Sequence, residues 1–288
     1  IIFVNGVASN APIVGKVNQF YQERYDLRPG DKILKVENRD ILNFGDIFNE
    51  LSKNESSQNS FLIERNGLKK EIVLPYIFQP VVRGIEPLSA AARANLKVGD
   101  VFLSVNGERL YRFSDLRNFV VNSEGRELKV LIFRENTEIQ KIIQPTLTPF
   151  EEKNGKFSEK YRIGIIGGPI FQPERSTPSI SEALSMGSTA VLSVFTGTIK
   201  GLRAMILGEV DPKYLSGPIG VAHAVSDSVK SGLISFFTLI SIISTGIGIV
   251  NLLPVPVLDG GHIVLLGYEA VMKKKPSDKF LRFAMIAG

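Results

Sequence analysis

The sequence predicts a multidomain membrane protein: two small mixed α/β units followed by an α-helical transmembrane domain. Three observations carry this. From Ser231 to Leu258 there is no charged residue, and roughly 20 apolar residues suffice to cross a hydrocarbon layer about 30 Å thick as a helix. No run before Ala183 meets that length, and from about Met186 the chain turns apolar, glycine-rich and nearly free of acids. Within the charged first half a segment repeats. RPGDKILKVENRDI at 28–41 aligns with KVGDVFLSVNGERL at 97–110, and the copies are followed by FGDIFNEL and FSDLRNFV.

Charge and composition narrow the function classes. The net charge of +5 comes without a compact basic patch interleaved with aromatics, which argues against nucleic acid as a partner. Lys273, Lys274 and Lys275 follow the apolar region as an interfacial cluster. The absence of cysteine excludes disulfides and thiolate metal sites and leaves the compartment open. The chain opens on IIFVNGVAS without an initiator Met or signal peptide and stops mid-run at FLRFAMIAG. Both ends read as cut from something longer.

In chain order, residues 1–9 read as the tail of a transmembrane helix, with a soluble edge strand as the alternative. The first unit occupies 12–77. Ile13–Val17 is a strand, YDLRPG at 25–30 a turn on Pro29 and Gly30, and Asp31–Val36 the next strand. Phe44, Ile47, Phe48 and Leu51 fall at helical spacing behind Asn43, a favoured N-cap type. Phe61–Arg65 and Lys70–Leu74 form a hairpin about Asn66 and Gly67.

The second unit, 80–147, repeats that order. Strand Val81–Ile85 precedes a short helix capped by Ser89, the KVGD turn at 97–100 and strand Val101–Val105. Helix Phe113–Val121 and a hairpin of Leu128–Arg134 with Glu138–Ile143 close it. At roughly 65 residues each, the units sit near the lower size limit for an independent core. Gly30 and Gly99 read as turn glycines at positive φ. Asp31 and Asp100 beside them read as acceptors of backbone N–H bonds, a structural role.

Residues 148–180 read as a linker rich in Pro, Gly and Lys, loosely packed or lying on the membrane surface. Residues 181–230 read as amphipathic, interfacial helices. AVLSVFTGTIKGLRAMILG is nearly apolar enough to span, but its Ser, Thr and Gly content with Lys200 and Arg203 suits an interfacial helix better. Ser181 and Glu182 supply its cap. Gly217, Pro218 and Gly220 place the next helix start no earlier than about Val221. His223 is a polar residue on a helix surface, since one isolated His does not make a metal site.

The site stretch is NLLPVPVLDGGH, Asn251 to His262. The transmembrane helix of 231–258 ends in it, and 262–288 holds a loop and the start of the last transmembrane helix. Pro254 and Pro256 deny the backbone helical bonds. Irregular backbone at membrane depth is tolerated only inside protein or beside a water-filled cavity. Asp259 is an ionisable residue at the end of an uncharged run, a functional candidate because such a group is costly without a partner. Gly260 and Gly261 permit tight packing or a close metal approach. The residues alone leave two readings open: a working acid, or a polar kink in which Asp259 caps the following helix.

Two patterns carry a resemblance. L-x-x-G-D-x-(I/F)-L-x-V, met at Leu27, Gly30, Asp31, Ile33, Leu34 and Val36, recurs at Leu96, Gly99, Asp100, Phe102, Leu103 and Val105. It resembles the bacterial PDZ domain, which implies small PDZ-like barrels that take extended peptides by strand addition or act as size filters. N-x-x-P-x-P-x-L-D-G-G at 251–261 resembles the third-core-helix motif of the site-2 protease family of intramembrane zinc metalloproteases. With paired PDZ modules the chain is most similar to that family's sigma-E-regulating bacterial branch.

The resemblance implies that Asp259 is the third zinc ligand and that Asn251 holds the substrate backbone or stabilises the developing oxyanion. Pro254, Pro256, Gly260, Gly261 and His262 would shape the turn around them. Two histidine ligands and a catalytic glutamate would come from a HExxH helix that this chain does not contain, its only histidines being His223 and His262. The implied cofactor is therefore zinc with ligands outside these residues. The implied activity is second-site cleavage of single-span membrane proteins, an anti-sigma factor and remnant signal peptides among them. The implied location is the bacterial inner membrane, multi-pass, with the PDZ modules in the periplasm and the lipid bilayer as a further partner. Two competing readings are a catalytically silent, membrane-anchored PDZ scaffold that binds periplasmic termini, and a transporter-like accessory protein with Asp259 as an ion ligand.

Overall fold

Along Gln58–Arg65, Asn59, Phe61 and Ile63 are buried and their neighbours are not, the alternation of an antiparallel sheet solvated on one face. The computed structural model describes residues 6–51, 56–152, 154–255 and 257–274. In chain order β1 (Val7–Ala8) precedes the first unit, which comprises β2 (Val14–Val17), α1 (Gln19–Gln22), β3 (Lys32–Val36), β4 (Arg39–Asp40), α2 (Phe44–Leu51), β5 (Gln58–Arg65) and β6 (Leu68–Pro75). The second comprises β7 (Val81–Ile85), α3 (Ala90–Arg93), β8 (Val101–Val105), β9 (Glu108–Arg109), α4 (Phe113–Asn122), β10 (Leu128–Arg134) and β11 (Thr137–Ile143). Strands β12 (Thr146–Glu151), β13 (Phe157–Arg162), β14 (Ile165–Gly168), β15 (Phe171–Pro173) and β16 (Arg175–Ser176) follow. Helices α5 (Ile180–Ile206), α6 (Pro218–Lys230), α7 (Leu233–Asn251) and α8 (Asp259–Met272) end the described chain. Residues 1–5 of the expected helix tail lie outside the described residues.

The PDZ-like barrels expected from the resemblance are corrected by the sheets, which stay open. The first runs β4-β3-β5-β6, the second β11-β10-β8-β7-β14 with β9 on β8. Closure requires the end strands to hydrogen-bond each other. In the first unit the segment at β2 meets that at β3 through an isolated Ile13–Lys32 bridge rather than a ladder, and β2 pairs with β15. Strand β4 has two residues, too few to carry a ladder across to β6.

The 148–180 segment, expected as a linker, pairs with both units. Ile165 lies opposite Ile85, Phe171 opposite Val17, and Ser176 opposite Val7. Ile170 and Phe171 are fully buried among Val14, Phe44, Ile47 and Phe61, and that core continues over Val81 and Val101 of the second unit. Asn18 Nδ2 donates to the Gly99 carbonyl at 2.9 Å, joining the units again. Phe171→Ala is accordingly expected to cost about 3–5 kcal/mol and to open the first unit, from which it is remote in sequence. A urea midpoint equal to wild type would contradict this shared core.

Local signals explain the helix starts. Asn43 Oδ1 accepts the Asp46 N–H at 3.1 Å, while Asp46 Oδ2 accepts from Leu42 and Asn43 at 3.0 Å. Ser179, not Ser181, caps α5, with Glu182 reciprocating. Helix α6 starts at Pro218 rather than near Val221, because proline at the first helical position forfeits no bond.

Among the described residues α7 is the one helix long and apolar enough to cross a membrane, with a mean hydropathy of 2.2. Helices α5 and α6 both pack against it. Helix α5 also reaches back to the β12–β13 hairpin, where Lys200 Nζ pairs with Glu151 at 2.7 Å. Beyond it, the Tyr214 hydroxyl donates to Glu159 at 2.6 Å. His223 is exposed on α6.

Candidate active site

Helix α7 runs out at Asn251, just before the prolines. The Leu253 N–H returns to the Val250 carbonyl at 3.0 Å, the Val255 N–H to Leu253 at 2.7 Å and the Leu258 N–H to Val255 at 2.8 Å. A succession of tight turns thus replaces the helix. Pro254 is exposed within them, and Pro256 lies outside the described residues. Helix α8 then begins at Asp259, earlier than the start at His262 read from sequence, and no side chain caps it. The Gly261 and His262 N–H groups bond to the Leu258 carbonyl at 3.0 and 3.2 Å.

Gly260 and Gly261 are buried. A Cβ on Gly260 would overlap the Leu252 carbonyl and the Leu253 oxygen. Only glycine lets the head of α8 rest on the foot of α7. Asn251 and Asp259 are the residues next to that contact, one on each side. Asn251 is half-buried and Asp259 exposed. Neither side chain has a hydrogen-bond or ion-pair partner among the described residues. Asp259 occupies the first turn of α8. His262, three positions on, shares its helix face and is exposed.

A catalytic zinc takes three protein ligands and keeps one position open. Among the described residues no three His, Asp or Glu side chains come together. The described residues therefore do not hold a catalytic zinc by themselves.

The repeated turns are built differently, by buried charge. Gly30 and Gly99 adopt φ of +90° and +101°. Asp31 and Asp100 are each 1% exposed. Asp31 Oδ2 accepts the Arg28 N–H at 2.8 Å, and Arg65 donates Nε and Nη2 to its two oxygens at 2.7 Å. Asp100 accepts the Lys97 N–H at 2.8 Å, and Arg134 donates likewise at 2.7 and 2.6 Å. Hydrogen bonding to the paired aspartate raises the pKa of both arginines.

Sequence reading missed these arginines, although the signal was present. Each lies 34 positions beyond its aspartate, at the end of the first strand of the closing hairpin. The first unit adds Asp26, which takes Arg65 Nη1 at 2.8 Å and Lys70 at 2.5 Å. Lys70, then Arg65, holds the Asp26 carboxyl down to about 2.

The sequence model of Peptidase family M50 matches residues 8–288. A protein of Agrobacterium fabrum named as a candidate zinc metalloprotease is 34% identical over 199 residues, 68% of this chain and 52% of its own length. The regulator of sigma-W protease RasP of Bacillus subtilis is 29% identical over 210 residues, 73% of this chain and 47% of its own. Zinc metalloprotease RasP of Geobacillus kaustophilus is 30% identical over 215 residues, 72% and 48% respectively. The PDZ domain of an SdrC-like protein from Listeria monocytogenes aligns with 31% of this chain and 87% of its own at 19% identity, with a TM-score of 0.26. That likeness is too slight to bear on the fold. The chain spans about half the length of the curated relatives it matches.

Proposed function

The chain belongs to peptidase family M50, the intramembrane zinc metalloproteases, and from that premise we propose that it serves second-site cleavage of single-span membrane proteins. Asp259 donates one carboxylate to the metal, and Asn251 engages the substrate backbone. The observation that carries this is an unpartnered carboxylate at the head of an apolar helix, locked by Gly260 against a membrane-length helix. The remaining ligands, two histidines of a HExxH helix, lie outside this chain.

A helical substrate hides its carbonyls in its own hydrogen bonds, so the segment to be cut must be presented extended. The Asn251 amide carries both donor and acceptor, which suits it to pair with such a segment. The substrate class is an anti-sigma factor or a signal-peptide remnant. The name of the Bacillus subtilis relative, a sigma-W regulator, supports that class. The units at 12–77 and 80–147 stand on the periplasmic side of a multi-pass inner-membrane protein. There they admit chains already shortened by a first cut.

The test uses the full-length protein in membranes with a single-span reporter. Asp259→Asn is expected to reduce cleavage by about 100-fold or more, since even an outer partner of a metal ligand is worth about 10–100-fold. Asn251→Ala is expected to lose about 100-fold, the scale of one lost oxyanion donor. Wild-type cleavage by Asp259→Asn would remove Asp259 from the site. An inactive parent that still binds periplasmic termini would favour the scaffold.

A further inference from the structure

Helix α6 meets the second unit at Leu88, through Asp227 and beside Gly220. Gly220, Ala224, Asp227 and Ser228 recur at helical spacing, and Ala224 and Ser228 are buried. Asp227 Oδ2 accepts the Leu88 N–H at 3.1 Å across 139 positions of sequence. Leu88 itself adopts φ of +61°, a region where a bulky side chain persists only if its surroundings over-determine it. Its Cδ1 lies over the first turn of α6, 4.0 Å from where a Cβ on Gly220 would sit. One end of α6 thus covers the Leu88 side chain, and the other holds its amide.

The seam is incomplete. A cleft of about 400 Å³ remains beside it, lined by Ile85, Leu96 and Val98 of the second unit and by Asp227, Lys230 and Ser231. The links from the membrane-side helices to the β12–β13 hairpin differ in kind. Lys200–Glu151 and Tyr214–Glu159 join exposed side chains, and exposed pairs contribute little. The Asp227 side chain is 22% exposed, and its bond ends on a strained backbone turn.

We propose that Asp227 is a positioning residue. Its bond to the Leu88 turn latches α6 to the second unit, and α6 in turn packs on α7, the helix that ends at Asn251. The latch stands on contacts alone; its consequence for cleavage rests on the protease reading above.

Hydrogen exchange on the full-length protein in lipid nanodiscs tests it. Asp227→Ala is expected to speed exchange over 86–89 by about 10-fold or more, the worth of one hydrogen bond to a charged group. Asp227→Asn keeps an acceptor oxygen and is expected to restore protection. Leu88→Gly removes the strain but keeps the N–H, and is expected to stay protected. Unchanged exchange in Asp227→Ala would overturn the latch. So would acceleration that spreads to β8 and β10, which would mark a folding role. With a single-span substrate, Asp227→Ala is expected to raise KM more than it lowers kcat, with recovery in Asp227→Asn. The expected exchange pattern in a parent that never cleaves would sink the protease reading and leave the latch standing.

Discussion

Asp100→Ala is expected to unfold the second unit at ordinary temperature. Asp100 is 1% exposed and receives the Lys97 N–H and both forks of Arg134. Arg134, 14% exposed, would be left half-buried with the Asn95 carbonyl and without its carboxylate. Breaking a buried pair from one side costs about 3–5 kcal/mol, a large share of the roughly 5–15 kcal/mol that a domain has.

Asp31→Ala in the first unit is expected to cost less, because Arg65 retains Asp26 as a second partner. The double variant Asp100→Ala with Arg134→Met is expected to recover part of the loss, since it leaves no orphaned charge. Thermal melts of the three variants decide this. Equal losses at Asp31 and Asp100, or a double variant worse than the single, would contradict the assignment.

Gly260→Ala is expected to abolish cleavage while the two sheet units melt as in wild type. Its methyl would overlap main-chain atoms of Leu252 and Leu253, which cannot rotate away as a side chain can. Overpacking costs about 1–3 kcal/mol where side chains give way. Here the head of α8 must move instead. A displacement of about 1 Å between Asn251 and Asp259 is worth on the order of 100-fold in rate. Wild-type cleavage by this variant would show that the two helix ends need not touch. A fall in the melting of the units would show a folding defect.

What could be read from the letters was what depends on near neighbours. The Asn43 cap, the Ser89 cap and the two turn glycines each involve residues within a few positions, so their residue types suffice. Arg65 and Arg134 were within reach, because the repeat places them at one offset from their aspartates. The return of β14, β15 and β16 was not. These strands are short and hold Gly167, Gly168 and Pro173, so no alternation marks them, and their partners lie in the two distant units.

Around the site, proline misled in one place. Pro218 reads as a barrier to helix and instead begins one. Further on, the letters put the last helix at His262, whereas Asp259 already belongs to its first turn. The reason is that Gly260, a poor helix former, is placed in the helix by contact with the foot of α7. That contact is tertiary and has no local signature.

As proposed above, Asp259 is one member of a metal site whose other members lie elsewhere in the full-length protein. Metal analysis of the purified full-length protein tests it most directly, with Asp259→Asn and His223→Ala beside wild type. About one zinc per chain is expected in wild type and in His223→Ala, with most of it lost in Asp259→Asn. Full zinc in Asp259→Asn, or none in wild type after purification in zinc, would contradict the account.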